Sequence, residues 1–283
     1  MRWSPGGRSR NLEDRRGGGG RFMRGAGGMG LGTVVVLIVL SLVFKRDMFQ
    51  VVGDAGVGSA PEAAAGAPVE ATPEEERLVD FVSFVLEDAQ AVWSQALPPS
   101  GTPYRPARLV LFRDAIQSAC GLGQTATGPF YCPADEKVYI DLGFYQELQE
   151  RFGAPGDFAQ AYVLAHEIGH HVQNVLGTEA KVRQARGSRP DLANQLSVRL
   201  ELQADCYAGI WAHSTAQREL LERGDVEEGL EAAAAVGDDR IQRMGGGRVA
   251  PEAFTHGSSE ERMRWFRHGL ESGDPASCDT FQG

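Results

Sequence analysis

Apolar positions along the chain follow a helical spacing in some stretches and form short strand-like runs in others. From residue 73 to about residue 97 they recur every three or four positions, and acidic residues occupy the first turn, where the helix dipole favours them. This stretch is therefore predicted to be an amphipathic helix. Residues 109–112, 128–131 and 137–142 form short apolar runs, and residues 133–136 suit a hairpin turn between the last two.

The second half of the chain is predicted to be helical. Residues 161–174 form an apolar helical stretch that neither proline nor a run of charges interrupts, and a second helical pattern extends from residue 191 to about residue 212. An acidic, alanine-rich helix follows at 224–235, and Ser258 or Ser259 can cap a last helix. The whole pattern predicts an α+β domain that is mostly helical and contains a small mixed sheet.

Three residues in the first of these helices, His166, Glu167 and His170, indicate its chemistry. Two histidines four positions apart lie on the same face of a helix, one turn from each other. Neutral imidazoles at that spacing can bind one Zn²⁺, while the glutamate between them reaches a water on the metal. Gly169 lies mid-helix, where glycine costs about 1 kcal/mol relative to alanine, which indicates that another element packs closely there. We predict a zinc site with Glu167 as catalytic base.

A zinc site of this kind needs a third protein ligand, and the helix at 191–212 offers one. Glu201 and Asp205 are four positions apart, so both carboxylates face the same way. Glu201 is predicted to be the third metal ligand, and Asp205 to accept the free N–H of a liganding histidine and fix its orientation. The alternative is that both are solvated acids on a helix surface. The leucines and alanines around them make an unusually apolar environment for that.

Taken together, these residues resemble a known family. His-Glu-x-x-His followed by Glu-x-x-x-Asp on a later helix is similar to the glutamate-type zincins, and more closely the chain resembles the bacterial single-span "putative neutral zinc metallopeptidase" family. The resemblance covers roughly residue 73 to the C-terminus. It rests on the motifs SACG at 118–121, GPFYCP at 128–133, VYIDL at 138–142, GDFA at 156–159, HEIGHHVQN at 166–174, RLELQADC at 199–206, GDD at 237–239 and FTHGSS at 254–259.

The resemblance implies a zincin-like fold, a zinc cofactor, and hydrolysis of peptide bonds in peptide or protein substrates. In zincins a strand edge beside the active helix binds extended substrate by strand addition. By resemblance, that strand would be residues 138–142 in this chain.

A peptidase also profits from a donor that stabilises the oxyanion of the transition state. His256 lies in the loop just before the last helix, and loop histidines often take this role, so His256 is a candidate catalytic residue. A structural loop histidine is the alternative. Tyr207 is a second candidate, on a helix turn whose orientation the pattern does not give. His171, His213 and His268 are expected to be ordinary helix or surface histidines.

The N-terminal part of the chain differs in composition from the rest. Residues 1–24 are rich in arginine and glycine and poor in apolar residues, so they are predicted to form a disordered cytoplasmic tail; RNA or anionic-lipid binding through the arginines is the alternative. Residues 25–46 include an uncharged stretch of roughly 20 residues, the length that a membrane-spanning helix needs. Lysine and arginine follow its apolar run, which favours a transmembrane signal anchor over a cleaved signal peptide. Residues 47–73 are predicted to be a flexible linker to a metallopeptidase domain at 74–283.

The charge distribution predicts how such a protein would be oriented. The arginine excess before the apolar stretch places the N-terminus in the cytoplasm and the domain on the outer side of a bacterial cytoplasmic membrane, crossed once. The net charge of −10, with no strong basic stripe in the globular part, argues against a nucleic-acid partner.

Four cysteines, Cys120, Cys132, Cys206 and Cys278, fall on the side predicted to be extracytoplasmic. None forms a C-x-x-C metal pattern, so an even number there favours disulfides. Three connectivities are possible. Cys120–Cys132 would close the loop into the predicted hairpin, which leaves Cys206–Cys278 to tie the ligand helix to the C-terminal tail; this pairing is favoured. Buried free thiols are the alternative.

The resulting hypothesis is a membrane-anchored zinc-dependent metallopeptidase in which Glu167 is the general base. Two other classes stay open. A membrane-tethered, non-catalytic zinc-binding or adaptor protein is one, although the intact Glu167 speaks against it. A deformylase-like amidase is the other, but that chemistry normally pairs the helix with a cysteine ligand from an upstream strand.

Overall fold

A small mixed sheet and a larger helical half make up the computed structural model, which describes residues 1–17, 71–97, 101–124 and 128–282. The sheet has the strand order β1-β2-β6-β5, in which β1, β2 and β6 are parallel and β5 is antiparallel to β6. A separate hairpin pairs β3 with β4. The strands are β1 Leu12–Asp14, β2 Arg108–Phe112, β3 Ala115–Ser118, β4 Gly121–Gln124, β5 Phe130–Cys132 and β6 Lys137–Asp141.

Eight α-helices lie within the described ranges. They are α1 Pro73–Ala96, α2 Gly143–Glu150, α3 Asp157–Val175, α4 Thr178–Ser188, α5 Ala193–Gln217, α6 Asp225–Ala235, α7 Asp238–Met244 and α8 Ser259–Ser272. The mostly helical α+β architecture with a small mixed sheet is therefore confirmed.

Local sequence signals account for where several helices begin. Thr72 caps α1 by accepting a hydrogen bond from the Glu75 N–H, and the acids that follow face the positive end of the helix dipole. Ser258 and Glu261 form a reciprocal capping box at the start of α8. Gly177, in the left-handed region at φ 75°, separates α3 from α4. The sequence did not predict α4, which lies between the two predicted helical stretches.

The core lies between the sheet and the helices, and its centre is the pair of helices α3 and α5. Gly169 of α3 faces Ala204 of α5, and a Cβ at Gly169 would lie 2.9 Å from the Ala204 carbonyl oxygen. The close packing that the mid-helix glycine indicated is therefore present. Helix α8 makes the most extensive helix contact in the described structure, against α5. The two histidines of α3 and the acids of α5 are thus held at a fixed separation by backbone contact.

Two disulfides connect the elements around this core. Cys120–Cys132 joins the β3–β4 hairpin to β5, and Cys206–Cys278 joins α5 to the C-terminal segment. Both favoured pairings are confirmed, and they leave no free cysteine in the described ranges.

The predicted substrate strand needs correction. Residues 138–142 were placed at an edge of the sheet, but β6 is paired on both sides, with β2 and with β5, so its backbone groups are already used. The edge strand on that side is β5.

The predicted disorder of residues 1–24 is wrong for residues 1–17. These residues pack on the domain, and β1 extends the sheet by pairing with β2. Composition suggested too little apolar surface for folding, but the segment is ordered by contacts to a domain that already has its own core.

The predicted membrane anchor at 25–46 and the predicted linker up to residue 70 lie outside the described residues. Among the residues that are described, no helix has both the length and the apolar character to cross a membrane.

Candidate active site

A cavity of about 540 Å³ opens between α3, α5 and the β5 side of the sheet. Its polar floor contains the candidate site residues His166, Glu167, His170, Glu201 and His256. The walls are largely apolar or aromatic, with contributions from Phe130, Phe144, Phe152, Val163 and Ile241. A concave, mostly apolar pocket with a few convergent polar groups is the usual form of a ligand site.

Three donor atoms meet at the floor of this cavity. The Nε2 atoms of His166 and His170 lie 3.3 Å and 3.4 Å from the carboxylate oxygens of Glu201. One donor atom from each residue lies within 4.8 Å of the other two, which is close enough for one cation to contact all three. The α3–α5 packing brings together residues that are far apart in sequence.

Each histidine is oriented by a partner on its other ring nitrogen. His166 Nδ1 lies 2.7 Å from Asp205 Oδ1, and His170 Nδ1 lies 2.9 Å from Gln173 Oε1. The amide nitrogen of Gln173 donates to the Leu200 carbonyl, which fixes the amide oxygen toward the histidine. With Nδ1–H donating in both rings, each Nε2 faces the Glu201 carboxylate, and in the neutral ring its lone pair is free for a cation between them. Such partners commonly set the tautomer of metal-binding histidines.

Asp205 is fully buried and has two further partners. Arg262 donates two hydrogen bonds to its carboxylate, at 2.8 Å and 2.9 Å, and the Tyr162 hydroxyl donates at 2.5 Å. Burial alone would raise the pKa of Asp205, but Arg262 and His166 outweigh it and lower that pKa. Asp205 therefore stays ionised and holds His166 in place.

The three donors also fit a divalent metal by their chemistry. Burial lowers the pKa of His170, yet the Glu201 carboxylate beside it raises that pKa to about 10. The same histidines hold the pKa of Glu201 well below its usual range, against the effect of its burial. Two imidazole nitrogens and a carboxylate oxygen, all turned toward one point, are a donor set typical of zinc. The residues present fit the metal.

Glu167 directly follows His166 on α3 and lines the same cavity, but it is not one of the three donors. Burial raises the pKa of its carboxyl, partly offset by His170 and His166. A buried glutamate beside a cation-binding group has the surroundings of a general base.

His256 borders the cavity from the loop before α8, about half exposed. Its Nδ1 lies 3.1 Å from Asp238 Oδ1, and the other Asp238 oxygen accepts the backbone N–H groups of residues 255–257. The Asp238 carboxylate raises the pKa of His256, against its partial burial. Asp238 therefore shifts His256 toward its protonated form, and its hydrogen bonds to the loop backbone hold the ring beside the cavity. Tyr207, the second oxyanion candidate, is instead buried in the core, with its ring edge-on to Trp93.

A second network ties the β5 edge to α3. The Tyr131 hydroxyl lies 3.0 Å from His171 Nδ1 and accepts from the Asn174 side chain, while His171 Nε2 lies 2.6 Å from the Arg105 carbonyl oxygen. His171 is fully buried, so it is a structural histidine, although not a surface one. These contacts fix the distance between the donor helix and the edge strand.

Sequence reasoning missed three residues that shape the site. Gln173 carried a usable signal, because it lies three positions after His170 and therefore on the same helix face. Asp238 belongs to the GDD motif at 237–239, but that motif gave it no role in the site. Arg262 carried no signal, because it reaches Asp205 from 57 positions away, through tertiary packing alone.

The fold and the site define a class. Two histidines on one helix and a glutamate on a neighbouring helix form one donor group, and a further glutamate lies beside them. Within a mostly helical α+β domain, this is the site architecture of the zincins.

The chain belongs to the family described as "Putative neutral zinc metallopeptidase", whose model matches residues 1–281. It is 45% identical over 286 residues to "Uncharacterized protein YpfJ" of Escherichia coli (strain K12), with 99% of each chain covered. It is also 45% identical over 203 residues to "Uncharacterized protein Rv2575" of Mycobacterium tuberculosis (strain ATCC 25618 / H37Rv), covering 68% of this chain and 66% of that protein. No solved structure matches it significantly.

Proposed function

We propose that the chain is a zinc-dependent metallopeptidase that hydrolyses peptide bonds with a zinc-activated water and Glu167 as general base. The observation that carries this proposal is the convergence of His166, His170 and Glu201 donor atoms beside Glu167 in one cavity. Membership of a family described as a zinc metallopeptidase supports the class of activity.

His166, His170 and Glu201 would hold the zinc. When bound, zinc supplies Lewis acidity, which lowers the pKa of a water and polarises a carbonyl oxygen. Asp205 and Gln173 keep both imidazoles in the tautomer that leaves Nε2 free for the metal.

Glu167 handles the proton in the proposed reaction. Its carboxylate takes a proton from the attacking water and delivers it to the nitrogen of the departing amine. The raised pKa of this buried carboxyl brings its proton affinity closer to that needed for both steps at neutral pH.

His256 is the proposed oxyanion donor. Protonated, and with Nδ1 engaged by Asp238, it can donate from Nε2 to negative charge that develops on the substrate carbonyl oxygen. This interaction strengthens as the charge develops, so it would act mainly on turnover rather than on substrate binding.

The substrate is proposed to bind as an extended segment along β5. β5 pairs with β6 only, among the described strands, and residues 128–131 line the cavity. Strand addition would use backbone hydrogen bonds, which explains how one site could accept varied peptides. Three phenylalanine rings in the wall favour a large apolar side chain next to the cleaved bond.

A comparison of wild type with Glu167→Gln, assayed on an unbiased peptide library at matched zinc content, tests the function. Glu227→Gln on α6 is the matched control, because this exposed glutamate lies outside the cavity. We expect cleavage to fall by roughly 100-fold or more in Glu167→Gln, since general-base catalysis contributes about 10²–10⁴-fold, and to be unchanged in the control. Equal cleavage by wild type and Glu167→Gln would refute the mechanism.

Non-catalytic zinc binding is the second candidate, and the same experiment separates it: one zinc per chain with no cleavage by wild type would favour it. A deformylase-like site would need a cysteine thiolate upstream of the helix as a metal ligand. Cys120 and Cys132 are bonded to each other, so neither offers one.

A further inference from the structure

The N-terminal segment, residues 1–17, contacts both the sheet and the helices of the domain. β1 pairs in parallel with β2, with Leu12 opposite Leu109. The Leu109 N–H donates to the Asn11 carbonyl, and the Arg15 N–H donates to the Leu111 carbonyl, both at 2.8 Å. These bonds make the segment the outermost strand of the sheet that carries β5 at its opposite edge.

Side-chain ion pairs specify this position. The Arg16 side chain is fully buried and contacts Asp14 within the segment and both Glu75 and Glu76 at the start of α1. A buried guanidinium without these carboxylates would carry an uncompensated charge, so the segment and α1 depend on each other. Arg8 makes a further pair with Glu76.

Glu13 provides the complementary contact to the sheet. Its carboxylate lies 2.9 Å from the Lys137 ammonium on β6 and 3.1 Å from the Arg108 guanidinium on β2. Burial would raise the pKa of Glu13, but these cations lower it to about 2. Trp3 adds an apolar contact, with its ring centroid 5.2 Å from that of Phe81 on α1.

These contacts conflict with the charge-based orientation of the chain. A stretch that crosses a membrane once has its two ends on opposite sides, so residues 1–17 could not reach a domain that follows a single crossing. The arginines that predicted a cytoplasmic N-terminus have a different use in the structure, since Arg8 and Arg16 pair with acids.

From this geometry we infer that residues 1–17 form a docking strand of the peptidase domain and that the two lie on the same side of the membrane. Exchange of the segment between two copies of the chain would not change the conclusion, because both copies share one orientation. The two disulfides favour the oxidising, extracytoplasmic side for both parts. The inference does not depend on peptidase activity.

Thiol labelling of the full-length chain in its own membranes tests the shared side. Ser4→Cys reports on the segment and Ser188→Cys on the domain; both positions are exposed, and the cysteines in the described ranges are disulfide-bonded. A membrane-impermeant maleimide is applied to spheroplasts before and after lysis, in a Glu167→Gln background that prevents self-cleavage. We expect the two thiols to behave alike, both reacting before lysis or both only after it. Reaction of one before lysis and of the other only after it would overturn the inference.

Limited trypsin digestion of the full-length chain in detergent tests the docking itself. Arg16→Ala should expose the segment, so cleavage at its remaining arginines should be at least tenfold faster than in wild type. Arg10→Ala is the matched control, since Arg10 is exposed and has no ion pair to any other described residue; its cleavage rate should stay at the wild-type value. If wild type is cut in this segment as fast as Arg16→Ala, the segment is not docked.

Discussion

Replacement of Asp205 by alanine separates two roles that the structure assigns to one carboxylate. Asp205 accepts from His166 Nδ1 at 2.7 Å and forms a two-bond ion pair with Arg262, with no exposed surface. Removing it leaves the Arg262 charge buried and unpaired, which should destabilise the protein by about 3–5 kcal/mol. Removing the acceptor of His166 should weaken zinc binding by roughly 10- to 100-fold.

The double variant Asp205→Ala/Arg262→Met distinguishes these effects, because it also removes the unpaired charge. Urea unfolding of the metal-free proteins should show most of the lost stability restored in the double variant. Zinc affinity, measured by competition with a chromophoric chelator, should stay low in both variants, since neither has a carboxylate to orient His166. Wild-type zinc affinity in Asp205→Ala would refute the assigned orienting role, and equal stability of the two variants would refute the buried-charge argument.

Three further predictions concern packing, pH and the disulfides. Gly169→Ala should destabilise the fold by about 1–3 kcal/mol in urea unfolding and weaken zinc binding, because the new Cβ would press on α5. The control Gly187→Ala has open space around it and should be neutral or stabilising in the same assay. Asp238→Asn should move the alkaline limb of the kcat–pH profile to lower pH, because the pKa of His256 is raised by Asp238 and the imidazole donates only while protonated; an unmoved limb would contradict this. Cys278→Ser opens a disulfide of sequence separation 72 and should cost about 4 kcal/mol in unfolding free energy, and a loss under 1 kcal/mol would show that the loop is held by packing instead.

The candidate site could be predicted from sequence to the extent that its geometry is periodic. His166 and His170 lie on one helix face because they are four positions apart, and the same spacing aligns Glu201 with Asp205. The apolar surroundings of both pairs then predicted that the two faces meet. Gly169 gave the additional signal that they meet closely, and the structure places Ala204 against it.

Residues that reach the site through tertiary packing could not be predicted in this way. Arg262 lies on a helix whose sequence pattern shows only a cap and an apolar face, and nothing local marks it as the partner of Asp205. The strand order could not be predicted for the same reason. Residues 138–142 have the pattern of a strand, but which strands pair with them depends on the rest of the chain.

The N-terminal segment shows why composition can mislead. Its arginines and glycines are typical of disorder and of a cytoplasmic flank, because both interpretations assume that the charges are solvated. Arg16 is instead fully buried among three acids, of which Glu76 lies 60 residues further along the chain, and this pairing orders the segment.

The central claim is that His166, His170 and Glu201 hold a zinc ion used for peptide hydrolysis. The most direct measurement is metal content by mass spectrometry combined with peptide-library cleavage, on the oxidised full-length protein, for wild type and Glu167→Gln. The account predicts one zinc per chain in both proteins and cleavage by wild type alone. A folded, oxidised protein that binds no metal, or a Glu167→Gln variant that retains zinc and cleaves like wild type, would contradict it.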